Sequence, residues 1–181
     1  MELPATPIPA HSLSAKQPDA LERLVQEHHA SVTRLAYRLL GWRGDVEDVV
    51  HDVFLAAFKK IDRFRAESSE WTWLAAITIN RCRSQRRREI LRFRWLKQRD
   101  VVREAPMYRD RDNLERDETA IRVRTAVQKL SARDRELIVL HYLEELPVSQ
   151  LSKLLGAADK TIHVRLHRAR NRLKELLGNE R

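Results

Sequence analysis

Along most of this chain apolar side chains recur at intervals of three and four, the spacing that gathers them on one face of a helix. Leu21, Leu24, Val25, His28, Val32, Leu35, Ala36 and Leu39 mark the first such stripe. Asp19-Ala-Leu-Glu22 at its start has capping-box spacing, and Gly41 supplies the stop. A second stripe, Val46, Val49, Val50, Val53, Phe54, Ala57 and Phe58, predicts a helix that opens at Asp45 and ends near Ile61. Ser68 or Ser69 can cap a third helix, which carries Trp71, Leu74, Ile77 and Cys82 into a run of arginines. Only the valine-rich stretch at 46–53 tempts a strand reading, and its period is helical rather than two.

The same spacing resumes later. Ile121, Val123, Val127 and Leu130 predict a helix over 120–130, and Ser131-Ala-Arg-Asp134 has the spacing to cap the next, with Leu137, Ile138, Leu140 and Tyr142. Pro147 sits where a first-turn proline is tolerated, ahead of a short helix over 148–155. Gly156 takes the position after that helix, and Asp159 is the expected N-cap of the last, which carries Ile162, Leu166, Ala169, Leu173 and Leu176. A short helix, a glycine turn and a longer basic helix make a helix-turn-helix, whose second helix would enter the major groove.

Charge divides this all-helical chain in two. The 181 residues carry 35 Lys+Arg against 26 Asp+Glu, a formal +9, which favours a polyanionic partner. Residues 81–103 hold ten bases and two acids, 104–118 six acids and three bases, and 160–181 seven bases and two acids. Two basic surfaces flank a polar, slightly acidic stretch that reads as a flexible linker, so two small domains fit better than one. A single cysteine, Cys82, excludes a disulfide scaffold or a thiolate zinc cluster. No apolar run approaches the roughly 18–20 residues that span a bilayer. The proline-rich residues 1–18 lack the apolar core of a signal peptide and read as a disordered arm, so a cytoplasmic protein is expected.

Candidate chemistry concentrates in three places. On the last helix, Thr161, His163, Val164, Arg165, His167 and Arg168 remain outside the apolar stripe, and arginine suits bidentate contact with guanine or phosphate. Trp71, Trp73 and Asn80, with the arginines that follow, suit melted strands, since unpaired bases stack on rings while arginines track the backbone. The two rings lie two positions apart and point different ways, so at least one belongs to the core. Asp45, Asp48 and Asp52, with His28, His29 and His51, invite a metal or acid–base reading. However, no His-Glu-x-x-His pattern exists, and acids near a helix start simply complement its dipole. No metal, cofactor or catalytic residue is therefore expected, and Cys82 reads as packing.

Four blocks in this order resemble the extracytoplasmic-function (ECF) group of bacterial sigma factors. They are Leu35-Ala-Tyr-Arg-Leu-Leu-Gly41 running into 45–54, Phe64-Arg-Ala-Glu-Ser-Ser-Glu-Trp-Thr-Trp-Leu74 running into Asn80-Arg81, Leu130-Ser-Ala-Arg-Asp-Arg-Glu-Leu137, and Arg165-Leu-His-Arg-Ala-Arg-Asn-Arg-Leu173. The resemblance implies sigma region 2 over 19–100, a linker over 101–118 and a region 4 helix-turn-helix over 119–181. Its implied partners are core RNA polymerase and promoter DNA, and an anti-sigma factor is a further partner it admits. It maps polymerase binding onto Asp45, Asp48, His51, Asp52 and Phe54. Engagement of the −10 element maps onto Phe64, Arg65, Ser68, Trp71, Asn80, Arg83 and Arg87, and −35 reading onto the six residues of the last helix. The chain departs from the family where Glu144-Glu145-Leu146-Pro147-Val148-Ser149-Gln150 replaces the usual Gly-Leu-Ser-Tyr-Glu-Glu type of sequence, and where His163-Val164 replaces Lys-Ser. Two other readings compete. A stand-alone regulator of the response-regulator effector type accounts for residues 120–177 only, and a metal-dependent nuclease would use the Asp/His helix.

Overall fold

A computed structural model of the chain describes residues 18–41, 46–64, 68–96 and 118–178, and among these no strand occurs. Helices α1 (Pro18–Leu40), α2 (Val46–Phe58) and α3 (Glu70–Leu96) pack on one another as a three-helix bundle. Leu24, Val32 and Leu35 of α1, Val46 and Val53 of α2, and Leu74 and Ala75 of α3 are almost wholly buried. Each large side chain so buried contributes roughly 1.5–3 kcal/mol over leaving it in water. Thr78 is buried among them because its hydroxyl donates to the Leu74 carbonyl one turn back, at 2.8 Å.

The second unit comprises α4 (Glu118–Lys129), α5 (Ala132–Ile138), α6 (Val148–Leu155) and α7 (Asp159–Gly178). Helix α5 runs on through a π-helical turn, Val139–Leu143, and His141 Nδ1 then donates to the Leu146 carbonyl at 2.9 Å. Between α6 and α7, Gly156 adopts φ +63°, a left-handed conformation that costs a glycine nothing. Leu151 of α6 and Ile162 of α7 are fully buried, which fixes the angle of the helix-turn-helix.

Helix ends mostly follow their capping chemistry. Ser69, not Ser68, caps α3, its Oγ accepting from the Thr72 amide at 3.1 Å. Ser131 caps α5 through the Asp134 amide at 3.2 Å. Four ends differ by a residue or more. Helix α1 already includes Pro18, so Asp19 lies inside it. Helix α2 stops at Phe58 and a separate 3-10 turn, Ile61–Arg63, follows. Pro147 is the N-cap of α6 rather than its first helical residue, its carbonyl accepting from Leu151 at 3.0 Å. Likewise Ala158 caps α7, accepting from the Ile162 amide at 3.0 Å, so Asp159 enters the first turn and acts on the helix dipole instead of capping.

The two units do not stand apart. Their apolar residues form one continuous cluster. Gly41, at φ +72°, permits the close approach, since a Cβ there would come within 2.5 Å of Gln128 Oε1. Arg38 donates to Glu144 at 2.6 Å and to the Leu143 carbonyl at 3.0 Å. Arg83 grips Glu136 with two hydrogen bonds, at 3.1 and 2.5 Å. Arg86 and Arg135, from opposite units, both donate to the Leu39 carbonyl, at 2.7 and 3.2 Å. The charge pattern predicts two units, but nothing in it reveals that they dock. Of the expected N-terminal arm all but Pro18, and of the expected linker all but Glu118, lie outside the described residues; those two residues open α1 and α4.

Candidate nucleic-acid interface

Helix α7 presents one face to solvent because its other face closes the second core. Ile162, Leu166 and Ala169 are buried, and Thr161, His163, Val164, Arg165, His167 and Arg168 are all exposed. The six expected residues therefore share one surface. Val164 is 45% exposed, an apolar side chain available to a thymine methyl group. His167 Nε2 lies 3.1 Å from Asn171 Nδ2, a contact that orients the ring. The Thr161 amide already donates to Ala158 at 2.8 Å, so only its hydroxyl remains for phosphate.

On α3, Asn80 and Arg87 are exposed and lie two turns apart. Arg83, between them, is engaged by Glu136 of the other unit. Neither Trp71 nor Trp73 is free: Trp71 stacks on His28 with centroids 6.4 Å apart, and Trp73 meets Phe64 at 5.0 Å. Phe64 and Trp71 are half-buried and Ser68 is exposed, which leaves their edges accessible at the start of α3. Arg65 lies outside the described residues.

The outer face of α2 is mixed. Asp48 and His51 are exposed and Asp52 is half-buried, whereas Asp45 lies outside the described residues. Phe54 departs from its expected place on this surface. It is a core residue, stacked on His29 at 6.0 Å, because its position in the stripe faces α1. The apolar groups that do reach solvent here are Leu55 and Phe58, 42% and 49% exposed. The sequence reading leaves Leu55 out and counts Phe58 as core. A leucine out of phase with the Val46–Val53 stripe is the signal that could have found Leu55; Phe58 is in phase and carries none.

Titratable clusters are few. Among the described residues, only Glu27, His28 and Glu70 bring three possible metal ligands together, and Glu70 is paired with Arg23 at 3.4 Å and His28 at 3.6 Å. Asp48, His51 and Asp52 form no such group. Cys82 is buried, and burial pushes its thiol up to about 12, far from a nucleophile's range.

Comparison with known proteins accounts for both units. Residues 24–90 match the family model of sigma-70 region 2, and residues 120–173 match that of sigma-70 region 4. The chain is 29% identical over 159 residues to the ECF RNA polymerase sigma factor SigM of Mycobacterium tuberculosis, covering 88% of this chain and 78% of the relative. It is 26% identical over 167 residues to SigW of Bacillus subtilis, covering 88% and 89%. Among solved structures it resembles the sigma factor RpoE of Bartonella quintana in complex with the anti-sigma factor NepR, with a TM-score of 0.70 at 27% identity over 88% of this chain and 98% of that one. CnrH bound to the cytosolic domain of CnrY gives a TM-score of 0.65 at 26% identity, over 92% and 94%. A regulator built only on the helix-turn-helix leaves the match over 24–90 without explanation.

Proposed function

The chain belongs to the sigma-70 family as an RNA polymerase sigma factor of the ECF type, and from that premise we propose how its surfaces divide the work. Residues 19–100 form the unit that docks on core RNA polymerase and engages the −10 element. Residues 101–118 link it to residues 119–181, which read the −35 element. The observation that carries this reading is the one-sided exposure of all six candidate residues on α7, above a buried stripe that fixes the helix in its motif.

Each face has chemistry suited to its task. Asp48, His51 and Asp52 offer a polar, acidic surface to polymerase, and Leu55 and Phe58 add apolar area beside it. Asn80 and Arg87 offer an amide and a fork-shaped cation to the −10 region, with Phe64, Ser68 and Trp71 at the head of the same helix. Arg83 joins them once released from Glu136. Arginine contacts to guanine or phosphate, and Val164 against a thymine methyl, supply base and backbone contacts at −35. The chain performs no chemistry of its own and acts in the cytoplasm, where the polymerase works. RpoE and CnrH are each held by a partner in the solved complexes, and we extend to this chain an anti-sigma partner of that kind.

Run-off transcription with purified core polymerase and a library of promoter fragments tests the assignment. Transcripts from a defined subset of promoters, absent with core polymerase alone, are expected. If adding the protein changes no transcript, the assignment fails.

A further inference from the structure

Where the two units meet, α3 and the face formed by α5 and α7 enclose an open cleft of about 540 Å³. Arg83, Arg86 and Arg87 line it from the first unit, and Arg133, Arg165, Arg168 and Arg172 from the second. Only two carboxylates stand among them, and both are occupied. Arg172 donates to Asp134 at 2.5 Å, and Arg83 holds Glu136. Arg87, Arg133, Arg165 and Arg168 are exposed side chains with no hydrogen bond or ion pair among the described residues. Guanidinium does not lose its proton in a protein, so these cations face one another as fixed positive charge across the docking seam. The docked arrangement therefore carries an electrostatic mismatch that a multivalent anion would relieve.

We infer that this cleft binds a compact polyphosphate, either free or as the phosphate chain of a nucleotide, and that the bound anion holds the two units docked. Guanidinium forks match phosphate oxygens in bidentate pairs, which a halide cannot offer, and a lone carboxylate carries only one charge. A linked series of phosphates can reach arginines on both walls, whereas a single monovalent anion satisfies one wall. The site lies beyond the promoter-binding role, yet shares Arg87, Arg165 and Arg168 with it. On the proposed function, an occupied cleft and promoter DNA are mutually exclusive.

Calorimetric titration of the full chain with sodium tripolyphosphate, in 0.15 M NaCl and without polymerase, tests the site independently of any role in transcription. One tripolyphosphate per chain is expected, with binding weakened at least tenfold by Arg87→Ala combined with Arg168→Ala. Arg88→Ala combined with Arg92→Ala removes equal charge from exposed positions of α3 outside the cleft and should leave the affinity within twofold. All four side chains are exposed and, among the described residues, unpaired, and circular dichroism checks that both variants stay helical. Titration with ATP separates the sources: equal affinity points to the phosphate chain alone, and tighter binding of ATP to a nucleotide. Equal weakening by the two variant pairs, or no saturable binding by the wild-type chain, would overturn the inference.

Discussion

Burial pushes both Cys82 and Glu144 toward their protonated forms, with different consequences. The thiolate is the form that reacts, and with its pKa pushed up to about 12 by desolvation Cys82 stays a thiol at any working pH. Alkylation by iodoacetamide at pH 8 should therefore proceed only through unfolding, and mass spectrometry should find native protein unmodified while urea exposes the site. Rapid modification without denaturant would contradict this packing. Burial also pushes the Glu144 carboxyl above its usual value, against the hydrogen bond and charge of Arg38 that pull it down. A group whose folded pKa is raised favours the folded state when protonated. Its contribution is complete below the ordinary value of 4.5 and is lost as pH rises through the raised one. Urea unfolding at stepped pH should accordingly show wild-type stability declining relative to Glu144→Gln across the window just above 4.5. Parallel curves would remove Glu144 as a source of that pH dependence.

At the scale of elements, the difference between Phe54 and its neighbours on α2 gives a clean separation of roles. Phe54→Ala should destabilise the protein by about 3–5 kcal/mol, as expected for a large side chain lost from a core. Asp48→Arg with Asp52→Arg should instead leave helicity intact and abolish co-purification with core polymerase. A folded double mutant that still binds the polymerase would remove α2 as the docking surface. Helix α7 permits an equally specific test. Exchanging His163-Val164 for Lys-Ser should shift the −35 sequence selected from randomised promoter libraries, with polymerase binding retained. Recovery of the same motif by both proteins would place base reading elsewhere on the helix. The sequence made the buried side of α7 legible, because Ile162, Leu166 and Ala169 keep strict helical phase. The stripe also places Phe54 inward, where it lies; the resemblance alone carried it to the polymerase surface, because a motif match records position along the helix and not which way a side chain turns.

Across the whole molecule, the docked arrangement places Arg83, a candidate −10 contact, on Glu136, and turns α3 and α7 toward a common cleft. On the proposed function, engaging separated promoter elements would need the units to part. The polar part of the seam favours this, since polar interfaces within a chain commonly permit domain motion, whereas the shared apolar cluster opposes it. Its ion pairs are partly open to water: Arg38 and Arg83 side chains are 30% and 41% exposed, so each contributes little more than about 1 kcal/mol. Arg38→Ala combined with Arg83→Ala should shift the population toward open forms, seen as a larger radius of gyration by small-angle X-ray scattering with unchanged helicity. An unaltered radius would mean that the apolar seam alone holds the units together.

The sequence by itself determined the helices, the helix-turn-helix with its glycine turn, the division into two basic units and the outward residues of α7. All of these follow from local propensities, capping and a periodicity of three to four, which neighbouring residues settle among themselves. Tertiary structure alone decided that the units dock, that Gly41 is bare so that Gln128 can approach, and that Arg83 and Arg38 find acids 53 and 106 positions away. It also decided which arginines face the cleft and which are neutralised. Charge in a sequence records how many cations a helix carries, whereas their partners are fixed only when distant segments are brought within hydrogen-bonding distance by the burial of a common core.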